Sequence, residues 1–99
     1  MNILIYGATP IGKMVTTELF RDHDITMMDE PSHLPDSFGH LDIRYIAGNG
    51  TDIDALQEAG PDKIELFIAC SDLDEANIVA CWTIKKIADI ETICFIRRE

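Results

Sequence analysis

The chain opens on an apolar run, Ile3-Leu4-Ile5-Tyr6, that stops dead at Gly7 and gives way to Gly7-Ala8-Thr9-Pro10-Ile11-Gly12. Four strand-forming residues bounded by glycine are too short for a helix and too uniformly apolar for a surface strand. They predict a buried parallel strand. From Pro10 the apolar residues Ile11, Met14, Val15 and Leu19 recur at helical spacing, with Thr9 as N-cap and Pro10 at the favoured first helical position. A strand feeding a helix through a glycine turn is half of a βαβ unit, and the rest of the chain repeats the alternation. Ile25–Met28 reads as a second strand ending at Asp29-Glu30, and Pro31 and Pro35 limit the next segment to a turn or a short distorted helix.

Ile43–Ala47 makes a third strand, followed by the turn Gly48-Asn49-Gly50. Thr51 is expected to cap a brief helix that ends at Gly60-Pro61, with Asp54 as a weaker stand-in for the capping-box glutamate. Glu65–Cys70 supplies strand four. Ser71-Asp72 opens the longest helix, where one of the two is expected to cap, and Ala76, Val79, Ala80, Ile84, Ile87 and Ala88 mark its apolar stripe. Thr92–Ile96 closes the series as strand five. The expected fold is a Rossmann-like, three-layer α/β domain over residues 1–99, with a parallel sheet of about five strands in the order 3-2-1-4-5. The last helix and strand of a full dinucleotide domain are expected to be missing, leaving an apolar edge.

Composition narrows the function classes. With 46% hydrophobic and 26% charged residues the chain is an ordinary globular one, but its formal net charge is −10. Such a surface repels phosphate backbones and anionic lipid, which argues against nucleic acid as a partner and against membrane insertion. An anion could still be held by backbone N–H groups. Cys70, Cys81 and Cys94 form no C-x-x-C pair and suit reduced thiols used for packing; the opening MNILIYGA has no basic n-region, and a cytoplasmic location is expected. His23, His33 and His40 fall in loops without metal spacing, and the acids Asp72, Asp74 and Glu75 suit a helix N-terminus, so neither a metal nor a catalytic group is assigned. Trp82 and the methionines read as packing residues, although an aromatic on the longest helix could also meet a partner subunit.

The turn at residues 7–12 is a degenerate G-x-G-x-x-G. Gly7 permits the turn and Gly12 lets helix and sheet pack closely, whereas the Cβ of Thr9 crowds the approach of a pyrophosphate and Pro10 removes one N–H from the helix terminus. Asp29, seventeen residues beyond Gly12, can accept hydrogen bonds from both ribose hydroxyls of an adenosine and would repel a 2′-phosphate. A tight turn without ligand and a solvated strand-end acid remain open alternatives for these two features. Gly48-Asn49-Gly50 and Cys70-Ser71-Asp72 end strands on the same carboxyl edge of the sheet.

Taken in order, GATPIG, DITMMDE, AGNGTD, IACSDLDEANIVAC and TICFIRR resemble the TrkA-type N-terminal subdomain of the regulators of potassium conductance, over essentially the whole chain. The resemblance implies a cytosolic, non-enzymatic regulator of a potassium channel or transporter that binds NAD(H), with ATP, ADP or AMP as other candidates, and that works through homodimers assembled into rings. Carried over by position, ligand contacts would come from Gly7, Thr9, Pro10, Ile11 and Gly12 around the phosphates and from Asp29 at the ribose, with Ala8 and Glu30 also counted among the cofactor-binding residues. Asn49 and Gly50 would lie near the adenine, with Cys70 and Ser71 beneath the phosphates. Relatives usually keep a second glycine followed by Gln or Arg where Thr9-Pro10 stand. Calcium-gated relatives carry carboxylates where Phe95 and Arg97 stand, so no calcium site of that type is expected. The alternatives are a fragment of an NAD-dependent reductase of the extended short-chain type, which GATPIG also resembles, and an apo dimerisation module with a degenerate site.

Overall fold

A computed structural model describes residues 1–97. β1 (Asn2–Tyr6), α1 (Pro10–Leu19), β2 (Asp24–Asp29), β3 (Arg44–Ala47), α2 (Ile53–Glu58), β4 (Leu66–Ala69), α3 (Asp74–Ile87) and β5 (Glu91–Cys94) follow one another, with short 3-10 turns at Asp36–Phe38 and Pro61–Lys63. All four strand pairings are parallel, in the order β3-β2-β1-β4-β5. The order expected from the sequence is therefore the one observed.

Alternation along the central strand explains why helices cover both faces. Ile3 and Ile5 of β1 join Ile25, Met27 and Ile68 on one side, where Ile11, Val15 and Leu19 of α1 and the buried Phe38 close over them. Leu4 and Tyr6 join Met28, Ile46 and Phe67 on the other, under Leu56 of α2 and Ala80 and Ile84 of α3. Both faces of β1 are thus sealed, and the strand needs no polar side chain after Asn2.

Several local expectations are corrected. α2 is capped by Asp52, whose carboxylate accepts from the Asp54 amide at 3.0 Å; Thr51 instead gives its N–H and hydroxyl to Asn49 Oδ1. α3 begins at Asp74 after Leu73, with no side-chain cap, because Ser71 is engaged with Asn77 further along the helix. β5 starts one residue earlier than expected and ends at Cys94. Val79, Trp82 and Met14, expected to pack, are exposed, as is Met1. The rest of the expected stripe of α3 holds, with Ala80 and Ile84 buried and Ala76, Ile87 and Ala88 packed against the core; buried Asn77 lies among them, and Val79 falls on the flank. Trp82 lies on the outer surface with the Lys86 ammonium 3.7 Å from its ring centroid. Cys94, expected to pack, is exposed, whereas Cys70 is buried.

Thr16, in the middle of α1, is fully buried, and its hydroxyl has no hydrogen-bond partner. Desolvating an unpaired hydroxyl opposes folding, and valine has nearly the same shape without that penalty. Thr16→Val is expected to stabilise the fold by about 1 kcal/mol, raising the melting temperature by about 4–8 °C for a domain of this size. A thermal melt that is unchanged or lowered would contradict the packing described.

Candidate functional site

Because every strand runs the same way, the loops after β1, β2, β3 and β4 gather at one edge of the sheet. Two of them touch at backbone level. Gly7 has φ +123°, and a Cβ there would lie 2.6 Å from the carbonyl carbon of Cys70 and from the amide of Ser71. A Cβ on Gly12 would lie 2.0 Å from the Gly7 carbonyl oxygen. Both glycines are thus required by close approach: the first by β4, the second by the turn itself.

Thr9 holds this junction together. Its hydroxyl donates to the Cys70 carbonyl at 2.8 Å and accepts from the Gly12 amide at 3.1 Å, which makes it both the N-cap of α1 and a tie to β4. The crowding expected of Thr9 is thereby recast. Its hydroxyl is engaged inward, and its effect on the turn is to occupy the Gly12 N–H. Pro10 has no N–H to offer. The Ala8 amide donates to Asp29 Oδ2 at 2.8 Å, while Asp29 Oδ1 accepts from the Glu30 amide at 2.8 Å. Among the described residues, the amides of Thr9 and Ile11 carry no protein hydrogen bond. Asp29 still has lone pairs to spare, since an ionised carboxylate offers about four acceptor positions.

Between these loops lies a crevice of about 210 Å³ lined by Tyr6, Thr9, Asp29, Glu30, Ser71, Asp72 and Leu73. Of the residues singled out in the sequence, Thr9, Asp29, Glu30 and Ser71 line it directly. Gly7, Ala8, Gly12 and Cys70 form the backbone junction behind it, and Pro10 and Ile11 open α1 beside it. Asn49 is reached only through Tyr6, whose hydroxyl donates to Asn49 Oδ1 at 3.4 Å. Gly50 is buried flat against the Tyr6 ring, where a Cβ would come within 2.5 Å. Its role here is to make room for that ring.

Tyr6, Asp72 and Leu73 also line the crevice, and Asn77 supports it, although motif position singles out none of the four as a ligand contact. Asn77 is buried, and its Oδ1 accepts from both the Ser71 amide at 2.8 Å and the Ser71 hydroxyl at 2.7 Å. Its amide group donates to the carbonyls of Ser71 and Phe95, so one side chain ties the loop after β4 to the chain leaving β5. A polar residue within the apolar stripe of α3 is the sequence signal that could have revealed it. Arg97 crosses the rim, its guanidinium 2.8 Å from Asp72 Oδ1 and its amide donating to Asp74 Oδ1.

The electrostatics are those of an acidic crevice. Burial pushes the Tyr6 hydroxyl above its ordinary pKa, and the charges of Glu30 and Asp29 push it further. Burial likewise lifts the Cys70 thiol to about 12, with Asp29 adding to the shift. A larger concavity of about 470 Å³ lies at the opposite, amino edge of the strands, between residues such as Asn2, Asp24, Arg44 and Lys63. The N-termini of α1, α2 and α3 and the glycine turn lie at the carboxyl edge instead, so the smaller crevice is the better binding candidate.

A thiol with a raised pKa in the fold favours folding only while the unfolded thiol is also protonated. For Cys70 that contribution is whole below pH 9 and lost as the pH climbs toward about 12. Urea midpoints are expected to fall over that alkaline range, with a shallower fall in Cys70→Ala. Equal slopes in the two proteins would contradict the burial of this thiol.

The TrkA-N domain family matches residues 3–99. A Trk system potassium uptake protein TrkA homolog of Methanothermobacter thermautotrophicus is 33% identical over 88 residues, covering 87% of this chain and 41% of the relative. The chain thus spans about two-fifths of that protein. Among solved structures, the GsuK channel aligns with a TM-score of 0.75 at 20% identity, over 92% of this chain and 17% of that one. The Kef CTD of Shewanella denitrificans in an AMP-bound form aligns at 0.74 and 17% identity, over 87% of this chain and 52% of that one. At such identities the two structures speak for the fold.

Proposed function

The chain belongs to the TrkA-N domain family, and from that premise we propose that it is the nucleotide-sensing regulatory domain of a potassium uptake system, binding an adenine nucleotide in the crevice at the carboxyl edge of its sheet. The observation that carries the reading is the placement of Asp29. Its carboxylate sits at the end of β2, fixed by the Ala8 amide of the glycine turn, with lone pairs left for two ribose hydroxyls. The amides of Thr9 and Ile11 at the opening of α1 are the donors available to a phosphate, and Ser71, steadied by Asn77, faces them across the crevice. These groups fit an adenosine phosphate, and the ligand of the Kef CTD, AMP, is of that class. NAD(H) heads the candidates, followed by ATP, ADP and AMP.

No step of bond making is assigned to the site. Its residues bind and orient; the cysteine nearest to it, Cys70, is buried with a raised pKa, which keeps the thiol protonated and unreactive at neutral pH. The relatives named for potassium uptake support a role in a potassium uptake system; on the reading proposed, occupancy is relayed to a membrane transporter or channel subunit through self-association. No helix among the described residues is long and apolar enough to cross a membrane. A cytoplasmic domain held at the membrane by its partner is the location that accords with this reading.

Titration calorimetry with NAD⁺, NADH, ATP, ADP and AMP tests the proposal. At least one is expected to bind, and Asp29→Ala is expected to weaken it about tenfold or more, the loss for one charged acceptor, while the far-ultraviolet circular dichroism stays unchanged. No heat from any of the five at millimolar concentration would overturn the reading and leave an apo interaction module in its place.

A further inference from the structure

We propose that Glu30 and Asp72 act as a charge filter on this crevice, admitting an adenine nucleotide of low net charge such as NAD⁺ and disfavouring ATP. The inference rests on the nucleotide reading of the crevice and names what the same site selects.

Asp29, Glu30 and Asp72 all line the crevice, and among the described residues neither a lysine nor an arginine does. In a phosphate site the local positive potential comes from helix N–H groups and from basic side chains. Here the first source is thinned: Pro10 has no N–H, the Gly12 amide is taken by Thr9, and the Ala8 amide is taken by Asp29. Of the second source, the cation at the rim among the described residues is Arg97, and it is paired with Asp72 at 2.8 Å, both side chains being exposed. That pairing offsets Asp72 only in part, because both partners are solvent-screened. Glu30 makes no ion pair among the described residues, and its charge is felt inside the crevice, where it helps to raise the pKa of Tyr6.

Asp29 is needed for the ribose, so it cannot be what distinguishes one adenine nucleotide from another. The Glu30 and Asp72 side chains accept no hydrogen bond from the glycine turn, and they line the space on the β2 and β4 sides. NAD⁺ carries two phosphodiester charges, one of them offset by its pyridinium. ATP carries a terminal phosphate group with additional ionisations. Every added charge meets the same two carboxylates with few donors to compensate it, and a like-charge contact near a protein surface costs about a fewfold in affinity at low salt.

The experiment is a calorimetric titration of the whole chain with NAD⁺ and with ATP in EDTA, at low salt and again at high salt. The wild type is expected to bind NAD⁺ about tenfold more tightly than ATP at low salt, with the gap shrinking as salt rises. The near-isosteric double variant Glu30→Gln, Asp72→Asn is expected to close most of that gap through a gain in ATP affinity. Arg97→Gln, which leaves Asp72 unopposed, is expected to widen it. ATP binding as tightly as NAD⁺ in the wild type, or a gap unchanged in the double variant, or a gap narrowed in Arg97→Gln, would each overturn the filter while leaving nucleotide binding intact. If the wild type binds neither ligand, the nucleotide reading itself fails and the filter falls with it.

Discussion

The backbone of Gly7 runs so close to the end of β4 that no side chain fits between them, and the site is built outward from that contact. A Cβ at Gly7 would lie well inside van der Waals distance of Cys70 and Ser71. The approach lets the Thr9 hydroxyl reach the Cys70 carbonyl while still capping α1. α1 is thereby fixed relative to two strands at once, and its first amides stand beside the tip of β2, where Asp29 completes the crevice. Position, burial and electrostatics at this edge all depend on that close passage.

The same arrangement explains how a turn that departs from the usual glycine pattern keeps its geometry. A second glycine would leave bare backbone toward a ligand; Thr9 instead gives the junction a hydroxyl tie and a helix cap. Stability at the turn rises, and the supply of free donors falls. Ala8 adds to this arrangement by donating to Asp29, which orients the carboxylate before any ligand arrives. The result is a small acidic crevice whose shape is preformed and whose capacity to neutralise phosphate is modest.

Much of the fold was legible in the residues because the signals were redundant. The unbroken run Ile3–Tyr6, the glycines at 7 and 12 and the regular alternation of short strands with helical stretches all pointed to one parallel sheet, and chirality then set the order of its strands. Of the crevice itself, Thr9, Asp29, Glu30 and Ser71 could be found from motif position. What stayed hidden depends on contacts between distant segments. Asn77 reads as an interruption of a stripe until its bonds to Ser71 and Phe95 are seen, and Gly50 reads as a turn residue until it is found against Tyr6. The caps expected at Thr51 and at Ser71 or Asp72 do not form for a related reason: Thr51 turns to Asn49, Ser71 to Asn77 and Asp72 to Arg97. Periodicity also failed to anticipate the outward-facing Val79 and Trp82, since it gives the width of an apolar stripe less sharply than its centre.

On the proposed reading an adenine nucleotide enters at the carboxyl edge, between the turn after β1 and the tip of β2. Amide chemical shifts followed by nuclear magnetic resonance during a titration with NAD⁺ address it most directly. The largest changes are expected on Thr9, Ile11, Glu30 and Ser71. Changes centred instead on Asp24, Arg44 and Lys63, around the larger concavity at the amino edge, would place the ligand at the wrong end of the sheet and contradict it.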